Sequence, residues 1–228
     1  MKKSFKLGSI ILSMVLLLTV FPVSSFAATY YPPGGIVASP GDILITNNTS
    51  SSGLTGHAGI VNSNLSVSTI DGYGQHPTTK SLTTWFNSNP NTVVVRYIGS
   101  DYSTVNPKAG KWAADYVAQH PNATYGLVNQ YKDLNEVYCS KIPWLSFYSY
   151  GVNIGNLWPS DIGVIPPYAY INAAQDRKYG LGIAVVYGSW SNLSLKALSV
   201  DETDFSQDEL LEVPHANIEN PNDYVSGN

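Results

Sequence analysis

The sequence predicts an α+β fold built on an antiparallel sheet, and three observations predict it. Short apolar strands bounded by Pro, Gly and Asn turns follow one another through the first half of the chain. One of those turns, Asn62-Ser63-Asn64, is tight enough to fold its two flanks into an antiparallel hairpin. Helical patterns then flank the run of strands.

In chain order, TYYPPGGIVASP is an extended Pro/Gly-rich lead-in, and Gly41 to Thr46 is a first strand entered through a Pro-Gly turn. The polar loop Asn47 to Gly56 has no apolar periodicity. His57 to Val61 and Leu65 to Asp71 are the two arms of the hairpin, and Val93 to Ile98 is a further strand. Asn106 as N-cap and Pro107 at the first helical position open a helix that runs to His120, with Ala109, Trp112, Ala113, Tyr116 and Val117 as its apolar stripe. Asn122 to Tyr138 reads as irregular. From Ser140 the run KIPWLSFYSY is a second helix, stopped at Gly151, with Pro143 in its first turn. A strand is expected over Leu181 to Tyr187 and a weaker one near Leu193 to Leu198.

Residues 1–27 stand apart. Lys2, Lys3 and Lys6 precede an apolar run from Gly8 to Phe21, and Ser25-Phe26-Ala27 is a small-x-small cleavage signal, so a removed secretory leader is expected. The run is too short to span a bilayer, so stable membrane insertion is not expected. Residues 28–200 suit one domain, and 201–228 form an acidic, mobile tail. Of the 16 acidic residues, eight lie at or beyond Asp201, which leaves 28–200 with nine basic and eight acidic residues. No basic patch exists to attract nucleic acid.

Cys139 is the only cysteine. In a secreted protein an unpaired thiol is either bridged between molecules or kept free for chemistry, and its place at the head of a helix favours the thiolate. The competing reading is a small buried hydrophobe. A nucleophile needs a base and a group to orient that base. Of the four histidines, His57 opens a strand after a flexible loop and ranks first, followed by His76 in GYGQHPTT. His120 has a structural role at a helix C-terminus, where an imidazolium suits the dipole. Val67, Thr69 and Asp71 share one strand face, and a symmetric hairpin register brings Asp71 toward His57. Asp71-Gly72 is equally readable as a turn signal. One cysteine and scattered histidines give no metal-ligand spacing, and no cofactor is implied.

Taken together, Pro40-Gly41-Asp42-Ile43-Leu44, Gly56-His57-Ala58-Gly59-Ile60-Val61, Ile70-Asp71 and Tyr138-Cys139-Ser140 resemble the NlpC-type papain-like hydrolases. There the patterns PGDLVFF, HVGIYIG and DCSG place the catalytic histidine and cysteine. The order here, with His57 and Asp71 before Cys139, resembles the circularly permuted YiiX/YebB-like cysteine hydrolases. The resemblance covers roughly residues 38 to 165. It implies a permuted papain-like fold, with an antiparallel central sheet and a nucleophile helix packed on it. It also implies a Cys139-His57-Asp71 set, with Tyr125 and Tyr138 near the oxyanion and substrate. Lys141 departs from it, standing where the family has glycine.

The activity so implied is amide cleavage through a thioester, with cell-wall peptides as the first substrate class and lipid or N-acyl substrates as the runner-up. A non-catalytic wall-binding module on the same scaffold is the alternative, suited by the many exposed-type aromatics. The loop from Asn47 to Gly56 is expected to be a flap over the Cys139 groove, with Leu54 touching substrate.

Overall fold

The computed structural model describes residues 28–49, 56–127 and 129–190. The leader, the middle of the 47–56 loop with Leu54, the strand expected near 193–198 and the acidic tail lie outside the described residues. Among the described residues no helix is long and apolar enough to cross a membrane.

Six strands form one antiparallel sheet: β1 (Ile43–Thr46), β2 (His57–Val61), β3 (Ser66–Thr69), β4 (Thr78–Ser81), β5 (Thr92–Tyr97) and β8 (Leu181–Tyr187), in the order β4-β3-β2-β1-β5-β8. The central strands read as continuous apolar runs because both faces are covered. Alternation sends Ile43, Ile45, Ile60, Val93 and Val95 into the larger core and Leu44, Val61, Val67 and Val94 into the smaller one.

The larger core is closed by α2 (Tyr102–Gln119), α3 (Lys141–Tyr148) and α4 (Pro167–Gln175). On the other face lie α1 (Leu82–Ser88) and the lead-in residue Tyr31. Every residue of α3 is buried, so Ser146 within it and Ser149 at its C-cap bond backward to helix carbonyls, those of Ile142 and Leu145.

Three features depart from the expectations. Helix α2 begins at Tyr102, not at Pro107, and its N-cap is Asp101. Asn106 is buried inside the helix and donates from Nδ2 to the Tyr97 carbonyl at 2.9 Å, so a tertiary bond takes up the side chain that suggested a cap. The stretch from Asn122 to Tyr138 contains two short strands, β6 (Thr124–Tyr125) and β7 (Glu136–Val137), paired in parallel. The segments that become β4, α1 and α4 were not expected as elements. His120 also differs in kind: it stacks on Tyr116 with ring centroids 4.9 Å apart, and burial holds its pKa below the ordinary value, which disfavours the imidazolium.

Candidate active site

The hairpin sets the geometry of the site. Ile60 pairs with Ser68 and Val61 with Val67, and the same register carried outward sets His57 opposite Asp71. His57 Nε2 lies 3.5 Å from Asp71 Oδ1 and 3.2 Å from Thr69 Oγ1. The Thr69 hydroxyl donates its own proton to the Ala58 carbonyl at 2.7 Å. Its oxygen can therefore only accept from the ring, so Nε2 carries a proton and Nδ1 is left for the thiol.

Cys139 lies between β7 and α3, with Tyr138 separating it from the strand and Ser140 from the helix. It is buried, 6% exposed, and it is a free cysteine. Its thiol and the His57 ring are hydrogen-bond partners. Burial pushes the thiol pKa up, but it is outweighed by the hydrogen bond and charge of His57, the Ala58 backbone and the Ser140 side chain, so the thiol sits below its ordinary value. Burial likewise disfavours the His57 cation. Hydrogen bonds to Asp71 and Cys139, with the negative charge of both, override it and raise His57 to about 9. The His57 hydrogen bond, followed by that of Lys80, brings Asp71 down to about 2 against partial burial. At neutral pH Asp71 is thus a carboxylate and His57 an imidazolium, and the same contacts favour the thiolate of Cys139.

Lys80, Trp85, Gly59 and Thr69 complete the setting, and sequence reasoning missed all four in this role. Lys80, on β4 opposite Val67, holds both Asp71 oxygens at 2.6 and 2.7 Å. Lys80 is the closer partner of Asp71, and His57 the more buried one. Trp85 of α1 stacks on the His57 ring with centroids 5.4 Å apart. Gly59 makes room for that ring, because a Cβ there would sit 3.0 Å from the Trp85 indole and closer still to Val67. Thr69 lies on the strand face already read for Asp71. Lys80 sits in a polar strand with no apolar signal.

Tyr125 reaches the site through the β6–β7 ladder, where it pairs with Val137, two residues before Cys139. Burial first, and then the Cys139 charge, raise its phenol to about 12, so the hydroxyl keeps its proton beside the cysteine. Tyr138 is employed differently. Its buried hydroxyl accepts from the Ile165 N–H at 3.0 Å and donates to the Gly163 carbonyl at 3.2 Å, tying the 163–165 loop to the cysteine. His76 bonds the Ala123 carbonyl at 2.8 Å and takes no part in orienting His57. Lys141, the departure from the family motif, is buried and donates to the Gln130 and Glu136 carbonyls at 2.9 and 2.8 Å. Burial brings its pKa down to about 8.

A free thiol bonded to an imidazole at the head of a helix, with the imidazole on an adjoining antiparallel sheet, is the arrangement of a papain-like hydrolase or acyltransferase. The comparison with family models makes this specific. Residues 4–187 match the LnsA-like lipoprotein N-acylation proteins, and the chain belongs to that family. A relative from Bacillus thuringiensis, described as an uncharacterized 30.3 kDa protein, is 28% identical over 148 residues, 61% of this chain and 54% of the relative. The chain thus spans about half the length of that protein. Among solved structures, the metalloprotein YiiX of Escherichia coli O157:H7 is similar over 67% of this chain and 99% of its own, at 15% identity and a TM-score of 0.48. Among the described residues no group of three or more His, Cys, Asp and Glu side chains is gathered as a metal site.

Proposed function

We propose that this protein is a secreted thiol enzyme that takes an acyl group from a lipid onto Cys139 and passes it to water or to an amine. The observation that carries the reading is the Cys139–His57 hydrogen bond, with the thiol held below and the imidazole above their ordinary pKa values. The Cys139 sulfur attacks the acyl carbonyl carbon and a C–S bond forms. As the acyl–oxygen bond breaks, the imidazolium of His57 gives its proton to the leaving alkoxide. The attacking water or amine then returns a proton to His57, and the thiolate leaves. Asp71 and Thr69 orient the ring and stabilise its charge. The Tyr125 hydroxyl and the Cys139 N–H are the donors for the developing oxyanion.

The family's description as lipoprotein N-acylation proteins supports lipid acyl groups over the cell-wall peptides expected from sequence, and supports an amine as one acceptor. A cleaved leader over residues 1–27 would put the enzyme on the side of the membrane where such substrates lie. The test offers purified protein diacyl phospholipid vesicles in one arm and peptidoglycan peptide fragments in the other. The proposal expects fatty acid release and a Cys139 thioester in the first arm, both absent in Cys139→Ala. Cleavage of wall peptides without acyl release would return the substrate to the cell wall and overturn the lipid reading.

A further inference from the structure

A cavity of about 260 Å³ is walled in part by residues that bond to Ser140, the residue after Cys139. Ile154, Leu157, Val164, Ile165, Ala169 and Ala173 line it, and none of its lining residues is charged. The remaining lining includes Tyr170, which directs its hydroxyl away to the Ser140 carbonyl at 2.7 Å and so presents its ring to the cavity. The Ile165 carbonyl accepts the Ser140 hydroxyl. Two walls of the cavity are thus bonded to the residue next to Cys139. Pro166 also lines it, and the residues that follow, Pro167 and Tyr168, pack against Gly56, the neighbour of His57. A Cβ on Gly56 would stand 2.8 Å from the Tyr168 ring, and its φ of +67° suits glycine, so the approach of α4 to the His57 strand is close. Lining residues, or the residues that follow them in the chain, thus touch Ser140 beside Cys139 and Gly56 beside His57. Val164, which lines the cavity, is 46% exposed, and Trp158 and Ile162, on the loop between the lining residues Leu157 and Val164, are 55% and 65% exposed.

From this arrangement we infer that the cavity is an acyl-chain site, which holds the hydrocarbon tail of the donor while its carbonyl lies at Cys139. The inference rests on the acyl-transfer reading and names the group that reading requires. A peptide or glycan would bury polar groups against walls that offer few partners. A saturated chain loses nothing there and gains with each methylene buried. The volume is just under the usual range for small-molecule pockets, which fits one chain and not two. The exposed Trp158, Ile162 and Val164 offer an apolar entry from a lipid surface.

The test separates binding from chemistry. The fluorescent fatty acid cis-parinaric acid is titrated into Cys139→Ala, alone and combined with Ala173→Phe, which fills the cavity, or Val164→Asp, which charges its rim and leaves the core alone. Fluorescence enhancement in the parent, with affinity falling about tenfold or more in each combination, is the expected result. In the Cys139-containing counterparts, the ratio of p-nitrophenyl octanoate to p-nitrophenyl acetate turnover should fall by a similar factor. Absence of parinaric acid binding, or binding and a chain-length ratio untouched by both substitutions, overturns the acyl-chain site. Parinaric acid binding with no ester turned over at any chain length overturns the acyl-transfer reading while leaving the site standing.

Discussion

Asp42 and Asp71 stand at the ends of strands of the same sheet, and each meets a cation through two short hydrogen bonds. Asp42 has no exposed surface: Arg96 donates from Nε at 2.7 Å and Nη2 at 2.8 Å, and the Tyr31 hydroxyl and the Ser39 N–H fill the remaining lone pairs. Asp71 has a side chain 42% exposed and divides itself between Lys80 and the ring of His57. Asp42 fastens the lead-in to the sheet and has no freedom left. Asp71 keeps one oxygen within reach of a titrating group. Full satisfaction in a dry setting makes a structural clamp, and shared, half-wet contacts leave a charge able to respond when its neighbour gains or loses a proton.

Substitutions sharpen that contrast, and the largest effect belongs to the groups that Asp71 serves. His57→Ala should lower turnover by about 10⁴-fold on an activated ester, with the folded state retained by circular dichroism. At the clamp, Asp42→Ala leaves Arg96 without its carboxylate partner. It should cost about 3 kcal/mol in urea unfolding, while turnover per folded molecule stays near wild type. Asp71→Asn should do the opposite, with turnover down by about 10²-fold and stability changed by less than about 1 kcal/mol. If Asp71→Asn unfolds the protein as readily as Asp42→Ala, the contrast between the two aspartates is broken.

The pH profile carries the same distinction. His57 is raised above its unfolded value, so its contribution to stability is complete below about pH 6.5 and lost as pH rises through about 9. Asp71 is depressed, so its contribution is present above about pH 3.8 and lost as pH falls through about 2. The alkaline limb of kcat/KM should fall near pH 9 as the imidazolium deprotonates. In Asp71→Asn that limb should move to lower pH, because a raising partner is gone. The smallest effect is expected from Lys80→Met. Removing a cation near the ring should move the limb slightly upward and change turnover by no more than about threefold.

Much of this site is legible in the sequence because the hairpin that builds it is local. The Asn62-Ser63-Asn64 turn sets the register, and the register alone sends Asp71 toward His57. The thiol's position follows from Pro143 and Gly151, which bound a short helix from the sequence itself. What could not be read depends on chain segments far apart. Tyr125 arrives by a two-residue parallel ladder too short for any periodicity, and Trp85 comes across the sheet face from a helix whose one local sign is the Ser81 cap on Thr84. Lys80 answers Asp71 only once β4 has paired with β3. Asn106-Pro107 misleads for the same reason, since the asparagine's partner is the carbonyl of Tyr97 and not the helix end. Pro167 at the start of α4 was a usable signal, hidden in a run punctuated by Pro and Gly.

The central claim is that Cys139 and His57 form a charged pair, and alkylation tests it most directly. The rate of iodoacetamide modification at Cys139 is measured across pH by intact mass, in wild type and in His57→Ala. The account predicts a wild-type rate that stays high well below about pH 8, and a His57→Ala rate that falls away there as an ordinary thiol would. Identical profiles in the two proteins, both rising only near the pKa of a free thiol, would contradict it.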